Sequence, residues 1–267
     1  MTTTRGLRDQ DEPITMLTAY DALTARIIDD CGVDVILVGD SMGTTVLGYD
    51  DTLPVTLTEA KSRTAAVARG VDNALVVADM PFLSVGVDER ETIRNAGEML
   101  KDAGADAVKL ESGPHTVEIT ERLTQLGIPV MAHLGLTPQH VNQLGGYTRQ
   151  GTTTEAANEI LALATDHEKA GAFALVLEHV PANLASRVSD ALAIPTIGIG
   201  AGPDCDGQVL VGTDIMGLSD RLPPFAAQFG DVKREMTAAV EAYQSAVESG
   251  EFPAAEHSHT EENLDLS

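Results

Sequence analysis

Eight short apolar runs, each followed by a stretch of helical or glycine-rich character, constrain this chain more than any other feature. The runs are Ile14–Thr18, Asp34–Val38, Ala74–Ala78, Ala107–Leu110, Pro129–Ala132, Phe173–Leu177, Pro195–Ile199 and Gln208–Val211. Parallel strands cannot be joined by a tight turn, so the chain must cross over, usually as a helix, before the next strand begins. Alternation of this kind predicts β/α units, and eight of them predict an α/β fold of the closed (β/α)8, or TIM, barrel type. Helix signals occupy the segments between: Thr58–Ala68, Asp88–Ala103, Thr116–Leu126, Thr154–Ala170 and Pro181–Leu192. Gly32, Gly70, Gly104, Gly127 and Gly171 follow helices and suit the left-handed residue that ends one.

The 267 residues fit one barrel, and neither a linker nor a repeat beyond the β/α rhythm divides them. A single domain is expected over residues 1–250. It includes a C-terminal helix, Asp231–Val247, that puts Val232, Met236, Ala239, Val240, Tyr243 and Val247 on one stripe, able to cover the barrel or to pack on another subunit. The acidic tail, 251–267, carries few apolar residues and is expected to be disordered. The polar, glycine-rich segment Gly145–Thr153 is long enough for a lid and equally suited to a passive loop.

Charge excludes several function classes. Seventeen Lys and Arg stand against 41 Asp and Glu, a formal net charge of -24 that disfavours nucleic acid and anionic membrane as partners. Only five of the cations are lysines, so the surface is lysine-depleted as well as acidic. Such a surface repels itself at low ionic strength and is screened at molar salt, which points to a salt-adapted protein. The N-terminal MTTTRGLRDQDEP has no apolar signal region, and two cysteines make no disulfide framework, so a cytoplasmic location is expected. Cys31 reads as a helix-end packing residue, and Cys205 sits in an acidic turn that would raise its pKa.

In a parallel barrel, chemistry collects at the C-terminal ends of the strands. Strand two ends VGDS, placing Asp40 and Ser41 there, and strand three ends VVAD, placing Asp79. Strand four reads AVKLES, where period-two geometry sets Lys109 and Glu111 on the face opposite Val108 and Leu110. Strand five supplies His133, and strand six Glu178 and His179. Singly, an Asp after a strand can be a helix cap, Lys109 and Glu111 a buried ion pair, and His133 a satisfied core residue. Jointly, Asp40, Asp79, Glu111 and Glu178 would repel one another at one mouth unless a cation sat among them. Carboxylate oxygens suit a hard divalent cation, Mg2+ first. Lys109 beside it would attract an anion such as a 2-oxoacid, and Glu178 is the carboxylate left over to act as base. The GIGAG segment at Gly198–Gly202 lacks dinucleotide-loop spacing and reads as close packing at the end of strand seven, or as active-site wall.

The runs LTAYDALTARI, VILVGDSMG, TLPVT, VVADMPF, AVKLES, HLGLTPQHVNQLGGY, LVLEHVP, IPTIGIGAG and DGQVLV, in this order from about Ile14 to about His257, resemble the 3-methyl-2-oxobutanoate (ketopantoate) hydroxymethyltransferase family. The resemblance implies a barrel of the phosphoenolpyruvate/pyruvate type. It implies transfer of a hydroxymethyl group from 5,10-methylenetetrahydrofolate to 3-methyl-2-oxobutanoate, giving 2-dehydropantoate for pantothenate and coenzyme A synthesis. Mg2+ as cofactor and a homo-oligomer, octamer or decamer, are implied as well. Asp40, Asp79 and Glu111 match the family's metal positions. Ser41, Lys109 and His133, with Asp40 and Asp79, match positions that hold the 2-oxoacid, and Glu178 matches the catalytic base. The chain departs from the family at Ser112, where a second Gly is common and loop flexibility could change, and at Gly212-Thr213, where a His commonly precedes the Asp matched by Asp214. A carbon–carbon lyase or phosphonomutase-like enzyme acting on another 2-oxoacid is the alternative, although GGYTRQGTT offers no acid on a mobile loop.

Overall fold

The computed structural model describes residues 2–10 and 12–261. Its eight strands are β1 (Ile14–Thr18), β2 (Val35–Val38), β3 (Leu75–Asp79), β4 (Ala107–Glu111), β5 (Val130–Gly135), β6 (Ala174–Glu178), β7 (Thr196–Ile199) and β8 (Gly207–Leu210). They are parallel, neighbour pairs with neighbour in chain order, and β1 closes on β8, giving the expected barrel. The helices are α1 (Thr4–Arg8), α2 (Ala22–Asp30), α3 (Met42–Thr45), α4 (Leu57–Ala68), α5 (Glu89–Lys101), α6 (Val117–Gln125), α7 (Val141–Leu144), α8 (Thr154–Lys169), α9 (Ala182–Ala191), α10 (Gly212–Ile215) and α11 (Val232–Ser249).

Local chemistry starts these helices where they are needed. Asp21, Asp88 and Thr153 accept main-chain N–H groups at the starts of α2, α5 and α8, and Thr56 with Glu59 forms a reciprocal capping box on α4. Gly32, Gly104, Gly127 and Gly171 are left-handed, as expected at helix ends. Gly70 differs: it is a glycine because a Cβ there would lie 2.4 Å from the Ala22 carbonyl oxygen.

Two apolar layers hold the barrel. Inside, Ile14, Met16, Val35, Leu75, Val77, Met131, Val176 and Val209 fill the lower half, and Leu7 of α1 joins them. Outside, Ala132, Leu134, Leu175 and Leu177 pack against Ile160 and Ala164 of α8 and Leu184 and Val188 of α9. The link from β7 to β8, residues 200–206, holds no helix. The glycines of GIGAG make this short return possible: a Cβ on Gly198 would crowd Cys205 Sγ at 3.1 Å, and one on Gly202 would meet Ala182 Cβ at 2.4 Å. Close packing is thus the reason for that motif.

The chain divides into two compact units. The first runs through Gly212 and includes Pro223–Ala226; the second holds Thr213–Leu222 and the residues from Ala227 onward. In the second, α11 is capped by Asp231 and ended by left-handed Gly250. Its predicted stripe is exposed, Met236 at 57%, Val240 at 65% and Tyr243 at 61%. Phe252 lies between the rings of Tyr243 and His257, and Ala255–His257 forms a 3-10 turn. The first part of the expected disordered tail therefore has local order, because Phe252 has rings to cover it. Its last residues, 262–267, lie outside the described ones.

Candidate active site

Strand register gathers the inward charged residues. Asp79 is level with Lys109 across β3 and β4, and Glu111 is level with His133 across β4 and β5. Level partners in parallel strands point to the same side, so all four face the barrel interior above the apolar floor. Lys109 Nζ lies 2.5 Å from Asp79 Oδ1 and 3.3 Å from His133 Nδ1. His133 Nε2 stands 3.1 Å from Glu178 Oε2 but lacks the alignment of a hydrogen bond, which leaves a buried ring nitrogen without a partner. A row of four groups, Asp79, Lys109, His133 and Glu178, thus crosses the mouth.

The loop after β2 brings the remaining residues to this row. Asp40 donates its main-chain N–H to Asp79 Oδ2 at 3.1 Å, and Gly39 keeps that approach open, since a Cβ would meet Ser41 Oγ at 2.7 Å. Ser41 Oγ lies 2.9 Å from Tyr20 Oη, which accepts from Thr18 Oγ1, so the serine is tied back to β1. Ser112 does not loosen its loop: its hydroxyl donates to the Leu110 carbonyl and accepts the His133 N–H.

Electrostatics follow from this crowding. Burial, then the neighbouring charges of Asp79 and Glu111, push the Asp40 carboxyl well above the usual carboxylate range. Burial lowers the Lys109 ammonium, but the carboxylates of Asp79 and Asp40, with Glu111, outweigh it and hold its pKa above the ordinary lysine value. Burial likewise dominates at Cys205, whose pKa is raised as expected, with Asp206 and Asp204 adding to it. Cys31 departs from expectation: it caps α2 but is exposed.

Of the predicted site residues, Asp79, Glu111 and Glu178 end β3, β4 and β6, Asp40 and Ser41 follow β2, and Lys109 and His133 lie within the C-terminal parts of β4 and β5. Among the described residues, however, no three acidic, His or Cys side chains form a ready metal cage. The physical reason is that Asp79 turns one oxygen to Lys109, while Glu111 turns toward the loop after β5. The donor set still fits a hard cation, because Mg2+ takes one or two carboxylates and keeps water for its other positions. A cation there would also offset the burial and the neighbouring negative charges that raise Asp40.

Sequence reasoning missed Gln139. It sits in the 3-10 turn Pro138–His140 after β5, where its Nε2 donates to Asp40 Oδ2 at 2.9 Å and its main-chain N–H reaches Glu111. A strand-end filter extended a few residues into each following loop would have found it. His140 was also missed; its pKa is raised by the Glu111 carboxylate, whose Oε2 lies 3.5 Å from its Nδ1. A cavity of about 120 Å³ opens beside Glu111, between Met80, Leu110, Gln139 and His140. A larger one, about 610 Å³, is lined by Arg5, Arg8, Phe173 and Ile194 and carries none of the inward charged residues on its wall. The supposed lid, Gly145–Thr153, is pinned at Gln150, whose N–H donates to the His179 carbonyl, and at buried Gly151.

Known proteins resemble the chain at two levels. In fold it is similar to phosphoenolpyruvate phosphomutase from Streptomyces platensis subsp. rosaceus, with a TM-score of 0.62 at 16% identity over 92% of this chain and 86% of that one. It is similar too to a phosphonopyruvate hydrolase solved in complex with oxalate and Mg2+, with a TM-score of 0.60 at 14% identity over 96% and 93%. Those identities speak for a shared closed (β/α)8 barrel and no further. In sequence, it is 70% identical to 3-methyl-2-oxobutanoate hydroxymethyltransferase of Haloarcula marismortui over 99% of both chains. Residues 1–255 also match the ketopantoate hydroxymethyltransferase family model. Identity at that level over nearly the whole length of both chains, with the family model matched over residues 1–255, decides the lineage: the chain belongs to the ketopantoate hydroxymethyltransferase family.

Proposed function

We propose that this hydroxymethyltransferase makes 2-dehydropantoate from 3-methyl-2-oxobutanoate and 5,10-methylenetetrahydrofolate, at the barrel mouth, with Mg2+ as cofactor. The observation that carries the assignment of roles is the row Asp79–Lys109–His133–Glu178, hydrogen-bonding groups in line on one inward face. Asp40 and Asp79 would hold the cation, with Glu111 directly or through water, and a bound Mg2+ would polarise the keto group and acidify the neighbouring C–H. The hydrolase neighbour whose structure holds oxalate and Mg2+ is consistent with this donor chemistry on the same barrel.

The chain's own residues do the rest. Lys109 supplies a fixed positive charge for the substrate carboxylate, and Ser41 a hydroxyl held in place through Tyr20. Glu178 takes the C3 proton, and His133, whose buried Nε2 has no hydrogen-bond partner among the described residues, turns that nitrogen to the 2-oxoacid and orients it. The enolate carbon attacks the one-carbon unit of the folate; one water is consumed and tetrahydrofolate leaves. Burial of Lys109 and His133, at 6% and 2% exposure, keeps competing water from both. The lyase or phosphonomutase alternative draws only on fold likeness and is not favoured.

The same reading makes the protein a cytoplasmic, salt-adapted homo-oligomer of eight or ten chains, its barrel and C-terminal helix serving as one functional domain, 1–250. The exposed apolar stripe on α11 supports association, and the net charge of -24 supports a need for salt. Among the described residues no helix is long and apolar enough to cross a membrane. An NMR time course in D2O at high KCl, with 3-methyl-2-oxobutanoate, Mg2+ and methylenetetrahydrofolate, tests the reaction. Formation of 2-dehydropantoate is expected; loss of the C3-proton signal without product would keep the enolisation and reject the donor, and neither change in folded protein would reject both. Refolding yield should rise with KCl, and a flat response would remove the salt adaptation.

A further inference from the structure

The turn that follows β5 carries a residue with no assigned role and an unusual share of the site's hydrogen bonds. Pro138 starts a 3-10 turn, so the main-chain N–H of Gln139 is not consumed within a helix. It is turned onto Glu111, reaching Oε1 at 3.1 Å and Oε2 at 3.0 Å. The side-chain amide of the same residue reaches the other way. Its Nε2 donates to Asp40 Oδ2 at 2.9 Å and to the Met80 carbonyl at 3.0 Å.

Both hydrogens of the amide are therefore used, one by a carboxylate and one by a fixed main-chain oxygen on the loop after β3. An amide anchored in that way cannot rotate without losing Met80, so it fixes the orientation of the carboxylate it touches. Asp40 is 6% exposed, and the Glu111 side chain 4%. Two dry carboxylates that repel each other swing apart unless donors hold them, and a single residue supplies donors to both.

We propose that Gln139 is a positioning residue for the divalent-cation site, holding Asp40 through its side chain and Glu111 through its main chain so that both stay aimed at the cation. The proposal rests on the reading of Asp40, Asp79 and Glu111 as the cation's carboxylates. A leucine would fill the same space with no donor. Residues that orient a metal's ligands from behind typically govern affinity by about 10- to 100-fold.

The test measures Mn2+ binding to the full-length protein without substrate, by the electron paramagnetic resonance signal of free Mn2+, for wild type and Gln139→Leu. Melting curves accompany each titration. Wild type is expected to take up one Mn2+ per chain, and Gln139→Leu to bind it roughly 10- to 100-fold more weakly at a temperature where its melting curve shows it fully folded. A purely structural role would lower the melting temperature and leave the affinity of the folded protein intact, and that result overturns the proposal. Absence of Mn2+ uptake by wild type would instead remove the cation reading itself. If the leucine variant fails to fold, Gln139→Met, unbranched and also without a donor, is measured in its place under the same criteria.

Discussion

The floor and the mouth of the barrel are built on the same faces of the same strands, two residues apart. Val77 gives way to Asp79 on β3, Ala107 to Lys109 on β4, Met131 to His133 on β5 and Val176 to Glu178 on β6. Nothing in the backbone changes across this step; only the side chains do. The floor residues gain stability by leaving water, roughly 1.5–3 kcal/mol for each large aliphatic side chain. The mouth residues give that up, since burying charges costs more than their pairing returns unless every partner is in place. The contrast teaches that fold and chemistry share one layer pattern and can be altered separately.

The largest effect should come from the mouth, in chemistry and not in stability. Glu178→Gln keeps the size and most contacts of the side chain but cannot take a proton. Deuterium exchange at C3 of 3-methyl-2-oxobutanoate, followed by NMR, should slow by about 10²- to 10⁴-fold while the oxoacid still binds. Unchanged exchange would take Glu178 out of the role of base. Next comes Lys109, whose ammonium is the cation at Asp79. Lys109→Met alone should destabilise by about 3–5 kcal/mol, because it leaves buried carboxylates uncompensated. The double change Asp79→Leu with Lys109→Met should recover most of that loss and remain inactive. A double variant as unstable as the single one would show that the mouth depends on charge for its fold, which would break the contrast.

The floor predicts the opposite pattern. Met131 is fully buried, and Met131→Ala should cost about 2–5 kcal/mol in urea unfolding. Per folded molecule, kcat should stay within a few-fold of wild type, since the lost atoms lie a full layer below His133. A large fall in kcat at low temperature, where the variant is folded, would mean that floor packing sets the geometry of the mouth.

How much of this is legible in the sequence follows from the same period of two. The strands lie within a few residues of where the apolar runs put them, and Lys109 and Glu111 share a face because Val108 and Leu110 occupy the other. Asp40, Asp79, His133 and Glu178 are legible because each ends an apolar run. Gln139 is legible only as a position a few residues past β5; its contacts with Glu111 and Asp40 are not, because no local pattern marks where that turn lands. The same holds for Phe225, which lies against His179 with ring centroids 5.3 Å apart while Gly200 leaves room for it. The tie from Ser41 to Tyr20 is equally invisible, because a tyrosine in a run such as TAYDA reads as core. Pairing that depends on register is readable from a strand; pairing that depends on where a loop lands is not.

The smallest predicted effect sharpens the comparison with a single kind of group. Asp29 and Asp40 are both dry aspartates, 5% and 6% exposed, and their surroundings push them in opposite directions. Burial raises both. At Asp40 the charges of Asp79 and Glu111 add to it, whereas at Asp29 the main-chain N–H groups of Asp72, Ala74 and Asn73 outweigh it, with the Asn73 amide, and hold the carboxyl below the ordinary range. Those donors belong to the chain entering β3, on the floor side, so the Asp29 carboxylate serves the fold. A carboxyl whose folded pKa lies below its unfolded value stabilises above the unfolded value and loses that contribution as pH falls through the folded one. Asp29→Asn replaces an acceptor with an N–H that faces other N–H groups. It should therefore cost about 1–3 kcal/mol at pH 7, a drop of several degrees in melting temperature. The gap between variant and wild type should narrow below about pH 4, as wild type protonates the same carboxyl. A gap that stays constant down to pH 3 would mean that the shape of the Asp29 side chain, and not its charge, holds the entry to β3.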